Sequence, residues 1–300
     1  MTQQLNMSRD GLSLRADRYG PEDGAWVILL HGFPDTPRSW HQVLPILVSA
    51  GYQVLAPWLR SYTRQSARRD AEYGLLPAAE DIRAWMAQLQ IPHPHLVGHD
   101  WGAAIAMALD SLAPGKWLSI SLLAVPPAPS LAQLVRVLPT LPRQLLMSRY
   151  MLTMRSNRSG KLLSRDRASY VKRLWQRWSP TRQFDESEFQ ATREVFSQPE
   201  MAHAAARYYR SLFGLHRRRN REAAKHMLAP LRARTLALAG LDDGCMSVAL
   251  HRRCVGQPRD FPNRSTVYLP GCGHFLQAEQ PEAVARAVLA HFEACSQALG

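Results

Sequence analysis

Gly98-His99-Asp100-Trp101-Gly102 stands between the short apolar run His95-Leu96-Val97 and the helix-forming segment Ala103-Ala104-Ile105-Ala106-Met107-Ala108. Strand, sharp turn and helix in that order are the setting in which a G-x-nucleophile-x-G motif carries chemistry. The flanking glycines leave room for a strained turn that lifts the middle side chain clear of the sheet. That middle residue decides the reaction. Most chains with this pattern carry Ser there and transfer acyl groups. A carboxylate needs no deprotonation at neutral pH, suits displacement at a saturated carbon and leaves an ester intermediate. A Gly-rich strand-to-helix turn can also simply bind an anion at the helix N-terminus. Asp100 at the apex of this one would repel it.

Around the motif the chain alternates strand and helix signals. Ala25-Trp26-Val27-Ile28-Leu29-Leu30 is an apolar run of buried-strand length. Pro37 after Thr36 marks a helix start, and helical pattern continues to about Ala50, stopped by Gly51. Tyr52-Gln53-Val54-Leu55-Ala56 is another short strand, and Pro77 opens a helix in which Ile82, Trp85, Met86 and Leu89 recur at helical spacing. Leu118 to Val125 is a further strand. This rhythm predicts a mostly parallel sheet with helices on both faces. It fails from Pro126 to about Ala229, where helical pattern runs with Arg and aromatic residues and no clear strand, then resumes at Thr235-Leu236-Ala237-Leu238-Ala239 and Ser265-Thr266-Val267-Tyr268-Leu269. A last helix runs from Pro281 to about Ala298. The expected division is a core of 1–125 and 230–300 with a helical cap inserted at 126–229, a length beyond any plain connection.

Composition narrows the class. With 300 residues and 46% hydrophobic content, one large α/β domain with an insertion can bury its core. The first twenty residues hold no uninterrupted apolar core, so no secretory signal is expected, and no apolar run reaches the roughly 20 residues of a membrane span. Cys245, Cys254, Cys272 and Cys295 lie late in the chain without C-x-x-C spacing. They read as reduced, mostly buried thiols of a cytoplasmic protein, with no metal or disulfide framework. The net charge of +13 is concentrated in 132–225, most densely at His216-Arg217-Arg218-Arg219-Asn220-Arg221. That run has no interleaved aromatic platform and no helix-turn-helix or zinc-finger spacing. It reads as a solvated basic face, and no nucleic-acid partner is expected.

An ester formed on Asp100 needs a base to activate water and an acid to orient that base. Gly240-Leu241-Asp242-Asp243-Gly244 and Gly271-Cys272-Gly273-His274-Phe275 follow two successive strands, where open α/β sheets carry their sites. The order nucleophile, acid, histidine is that of α/β-hydrolases. His274 is the expected base and Asp243, rather than the adjacent Asp242, the expected acid. His31-Gly32-Phe33-Pro34 follows the first strong strand, and a loop there supplies one amide of an oxyanion hole while the residue after the nucleophile supplies the other. Those residues are Phe33 and Trp101.

With these motifs the chain resembles the epoxide hydrolase branch of the α/β-hydrolase superfamily, strongly in the core and weakly in the cap. The resemblance implies an α/β-hydrolase fold, no cofactor, and a small-molecule epoxide and water as reactants; it leaves the oligomeric state open. It also implies two cap tyrosines that hydrogen-bond the epoxide oxygen. One falls in Arg149-Tyr150-Met151-Leu152, the other in Tyr208-Tyr209-Arg210, where the family has a W-Y-R-like motif. Tyr150 and Tyr209 are thus the implied ring-opening acids. The chain departs from the pattern at Thr153, Met154 and Arg155, where the family has aromatic residues and Gln. Haloalkane dehalogenases are similar too, but usually carry Asn where Phe33 stands. Fluoroacetate dehalogenases usually carry Arg in place of Trp101. The rival expectations are therefore a haloalkane dehalogenase, or a non-enzymatic module on the same fold that holds an anionic partner with its basic cap.

Overall fold

The computed structural model describes residues 2–297. Eight strands form one sheet: β1 Thr2–Arg9, β2 Leu12–Tyr19, β3 Trp26–Leu30, β4 Gln53–Pro57, β5 His95–His99, β6 Ser119–Leu123, β7 Thr235–Gly240 and β8 Arg264–Leu269. Their spatial order is β1-β2-β4-β3-β5-β6-β7-β8. From β4 through β8 all neighbours are parallel, and β1 and β2 add an antiparallel edge. The mostly parallel sheet is the one expected from the strand–helix rhythm, and the α/β-hydrolase fold is the one that the resemblance implies.

The hairpin β1–β2 was not among the strands read from the sequence, which began at Ala25. Its signal is nevertheless present. Asp10 and Gly11 both take positive φ, at 51° and 70°, in a two-residue loop that pairs Arg9 with Leu12. Asp-Gly is the preferred pair for such a turn. In β2 the alternation Leu12, Leu14, Ala16 is buried on one side. Element edges also shift. The segment expected as one helix from Pro37 is a 3₁₀ turn, Pro37–Trp40, followed by a short helix Val43–Ser49. The helix expected to open at Pro77 begins at Leu75, with Gly74 ahead of it at φ 145°.

Apolar side chains are buried on both faces of the sheet, as parallel strands require. One face packs Ile28, Leu30, Leu55 and Leu96 against helices Leu75–Gln88 and Trp101–Leu112. The other packs Val27, Leu29, Val54 and Val97 against Val43–Ser49 and Pro281–Ser296, whose Leu47, Val288 and Phe292 are fully covered. Every described residue between β6 and β7 is helix, turn or loop. The longest helix there, Ser159–Trp178, is broken at Arg165–Ala168, where Asp166, Arg167 and Ala168 hold positive φ. The last, Arg218–Met227, returns to the sheet's own helical layer against Leu75–Gln88 and Trp101–Leu112.

Candidate active site

The sheet order puts the C-terminal ends of β3, β5, β7 and β8 along one rim, and each end delivers one part of the constellation. Asp100 forms the turn from β5 into helix Trp101–Leu112 with φ 51° and ψ −113°. A side chain in so sparsely populated a region costs about 1–3 kcal/mol and persists only where its surroundings over-determine it. Here they do. Its N–H donates to the Leu123 carbonyl of β6 at 3.2 Å, and its own carbonyl accepts from Ala103 and Ala104 at 3.0 and 3.1 Å. A Cβ on Gly98 would strike the backbone of Gly102, one on Gly102 would strike the Leu30 carbonyl, and one on Gly32 would lie 2.6 Å from Asp100 Oδ1. The glycines are therefore steric requirements of the turn.

The two Asp100 oxygens have different partners. Oδ1 accepts the Phe33 N–H at 2.8 Å, and Oδ2 lies 3.7 Å from His274 Nε2. Trp101 is the first residue of its helix, so its amide belongs to the turn whose N–H groups have no partner within the helix. His31 fixes the loop that carries Phe33: its Nε2 accepts the Leu59 N–H at 3.1 Å, which leaves Nδ1–H to donate to the Gly32 carbonyl at 3.0 Å.

His274 Nδ1 faces Asp243 Oδ2 at 2.9 Å, while Asp243 Oδ1 accepts the amides of Cys245 and Met246 at 2.6 and 2.8 Å. The neighbouring Asp242 is exposed, and its amide donates to the Cys272 carbonyl at 2.9 Å. Of the two aspartates, only Asp243 touches the imidazole. Burial alone pushes the His274 imidazole down, but the carboxylates of Asp243 and Asp100 outweigh it and raise it to about 10. The folded chain thus keeps a proton that the unfolded chain releases near pH 6.5, so this contribution to stability is full below that pH and is lost as pH rises through about 10. Removing one of the two carboxylates should lower the value. An NMR titration of the imidazole in Asp100→Ala against wild type is expected to show the fall, and an unchanged value would break the proposed link between the two groups.

Tyr150 and Tyr209 approach from the helical segment between β6 and β7. Their hydroxyls are 3.5 Å apart, and the Tyr209 ring packs edge-on against Phe33 and Trp101 at 5.1 and 5.3 Å. Burial, with a contribution from the Asp100 charge, pushes both phenols well above their ordinary range, so they stay protonated donors. The adjacent Tyr208 serves otherwise: its hydroxyl donates to the Arg60 carbonyl at 3.2 Å. All these groups are covered, with Asp100 7% exposed, Tyr209 2% and His274 fully buried.

Several residues that hold the site were missed in the sequence. Trp178 packs edge-on against His274 and Tyr150 at 5.0 and 4.8 Å, and its carbonyl accepts the amides of Gly244 and His274. Glu279 accepts the Gly273 and Phe275 amides at 2.7 and 2.9 Å, which clamps the loop carrying His274. Cys245 places its Sγ 3.7 Å from the Tyr150 hydroxyl. Its position two residues after Asp243 was the only signal. Cys272, by contrast, is a buried thiol as expected of the four cysteines, fully covered against the sheet.

The rim of strand ends thus carries a strained carboxylate, a buried histidine and its aspartate, and the profile described as alpha/beta hydrolase fold matches residues 25–281. The chain belongs to the α/β-hydrolase family. Among its relatives, an epoxide hydrolase of Caballeronia sordidicola is 36% identical over 124 residues, which are 41% of this chain and 37% of that protein. The chain thus spans little more than a third of the length of this curated relative. Epoxide hydrolase A of Mycobacterium thermoresistibile superposes with a TM-score of 0.77 at 24% identity, covering 97% of this α/β-hydrolase and 98% of that chain. A loop variant of haloalkane dehalogenase DbeA from Bradyrhizobium elkanii reaches 0.80 at 20% identity, covering 100% and 99%. At such identities the structural likeness is one of fold. No helix among the described residues is long and apolar enough to cross a membrane.

Proposed function

We propose that this α/β-hydrolase is a cofactor-independent epoxide hydrolase acting on small-molecule epoxides, with residues 126–229 as the cap over its site. The observation that carries the reading is the pair of buried tyrosine hydroxyls, 3.5 Å apart, in a site whose strained turn carries a carboxylate rather than a serine. Asp100 Oδ2 is the oxygen left free by the Phe33 amide, so it attacks an epoxide carbon while Tyr150 and Tyr209 donate to the departing oxygen. Oδ1 then becomes the ester carbonyl oxygen, already on the Phe33 N–H, and the Trp101 amide is the second donor for the oxyanion that follows. Ester formation also removes the Asp100 charge that helps hold a proton on His274, which favours the neutral imidazole the second step requires. His274, oriented by Asp243, deprotonates water against the ester, and a vicinal diol leaves.

Incubation with aryl and aliphatic epoxides, beside short haloalkanes, tests the reaction class. Diol formation without halide release is expected, whereas halide release without diol overturns the proposal in favour of a dehalogenase. The tyrosines provide a second handle. Tyr150→Phe and Tyr209→Phe should each slow ring opening by about 10²–10⁴-fold, and the double variant should be slower than either. Unimpaired diol formation by a folded double variant would remove the tyrosine roles, whereas unimpaired halide release, whose leaving group needs no proton, would overturn the epoxide assignment.

A further inference from the structure

The first helices after β6 bury polar side chains and leave a series of apolar ones exposed. Leu131–Val137 and Leu141–Met147 are joined by a 3₁₀ turn, Leu138–Thr140, and followed by Tyr150–Arg155. Their buried side sets polar Gln133, Thr140 and Gln144 beside apolar Val137, Tyr150 and Met154. Gln133 donates to the carbonyls of Arg253 and Cys254, each at 2.9 Å, Thr140 donates to Val137, and Gln144 bridges the Cys245 carbonyl and the Ser247 amide at 3.1 and 2.8 Å. Their outer side is apolar. Val135 is 74% exposed, Leu145 70%, Leu146 63%, Leu152 61%, Leu138 58% and Leu134 45%. Leu145 and Leu146 are exposed on Leu141–Met147 and Leu152 on Tyr150–Arg155, with exposed Arg149 between the two helices. Singly exposed leucines are ordinary, but exposed apolar side chains on each of these successive short helices, two of which bury a glutamine, mark a surface made for an apolar environment.

The charge around this face is equally one-sided. From Pro126 to Arg165 the chain has seven basic side chains and no acidic one. Arg136, Arg143 and Arg149 are exposed among the leucines, and the ion pair of the segment among the described residues lies at its far end, Arg165–Asp166 at 3.3 Å. A second copy would fit poorly, because a two-fold contact sets the same patch against itself and brings arginines onto arginines with no carboxylate between them. A surface that offers phosphate charge at its boundary and hydrocarbon just beneath satisfies both features at once.

We propose that the face formed by Leu134, Val135, Leu138, Leu145, Leu146 and Leu152, with Arg136, Arg143 and Arg149, docks the protein on an anionic lipid surface. The leucines enter the headgroup–acyl boundary and the arginines pair with lipid phosphates. No helix has to span the bilayer. Tyr150 lies on the inner side of the same short helix that shows Leu152 outward, so docking sets the lipid beside the segment that lines the buried site. The inference stands on surface composition and does not depend on the reaction proposed above.

Vesicle flotation of the full chain tests it, using phosphatidylcholine vesicles and an equimolar mixture of phosphatidylcholine and phosphatidylglycerol. Wild type is expected to float with the mixed vesicles at least about tenfold better than with phosphatidylcholine alone, and to be released by salt. The Leu145→Asp/Leu146→Asp variant, and separately Arg136→Gln/Arg143→Gln/Arg149→Gln, should lose that binding. Arg217→Ala/Arg218→Ala, which removes basic charge elsewhere, should keep it. Equal loss in the Arg217/Arg218 variant would reduce the effect to net charge and overturn the proposal. So would full binding by the Leu145/Leu146 variant, or no flotation of wild type. Sedimentation of wild type as a dimer that the Leu145/Leu146 variant dissociates would assign the face to a second copy instead.

Discussion

Asp100→Ala is expected to abolish epoxide turnover, by at least about 10⁴-fold, because no other group can take over the attack. Asp243 is committed on both oxygens, one to His274 and the other to the Cys245 and Met246 amides. His274 is fully buried behind Asp100, with its Nδ1 held by Asp243. Alanine is preferable to asparagine, since a side-chain amide facing an activated water can hydrolyse back to aspartate and restore activity over time. The fold should tolerate the change. The Phe33 N–H loses its acceptor, a cost of about 1–3 kcal/mol, and the turn keeps the strain of its positive φ with a smaller side chain. A thermal melt beside the assay separates lost chemistry from lost structure. Full activity in a sequence-verified, folded Asp100→Ala protein would end the reading of Asp100 as nucleophile.

The parts of the site that were legible in the sequence are those fixed by local geometry. Asp100 could be found because a G-x-D-x-G turn between an apolar run and a helix has few other uses, and the clashes that would follow a Cβ at Gly98 or Gly102 explain why. Asp243, His274 and the Phe33 amide could be found because parallel strands deliver their loops to one rim. The choice between Asp242 and Asp243 rests on one residue of loop conformation, which periodicity does not encode. Trp178, Glu279 and Cys245 were out of reach for a different reason. Their roles come from contacts across long sequence separations, such as the Trp178 carbonyl on the His274 amide and Cys245 against Tyr150, and neither partner has a distinctive local pattern. The N-terminal hairpin was missed although Asp10-Gly11 and the alternation of β2 carried its signal. The outward leucines of the segment after β6 look in the sequence like an ordinary helix face. Only burial shows that the face is turned to solvent.

His274→Gln is expected to separate the two steps and leave the enzyme trapped. Asp100 still attacks, because its carboxylate needs no base and its Oδ1 remains on the Phe33 amide. Glutamine cannot take a proton from water, so the ester on Asp100 accumulates and steady-state turnover falls by roughly 10³-fold or more. The variant keeps much of the room of the imidazole beside Trp178, whose ring stands 5.0 Å from that of His274 in the wild type. Its amide can also still face the Asp243 carboxylate, so loss of the fold is not the expected result. Intact-protein mass spectrometry after mixing with a reactive epoxide should show the chain heavier by one whole substrate molecule, since ring opening expels no leaving group. A haloalkane would add its alkyl group and lose the halide, so the mass of the adduct also reports the reaction class. Peptide mapping should place the adduct on Asp100. A variant that turns over normally and accumulates no adduct would mean that water is activated by some other group, and that the hydrogen bond from His274 to Asp243 serves only the structure.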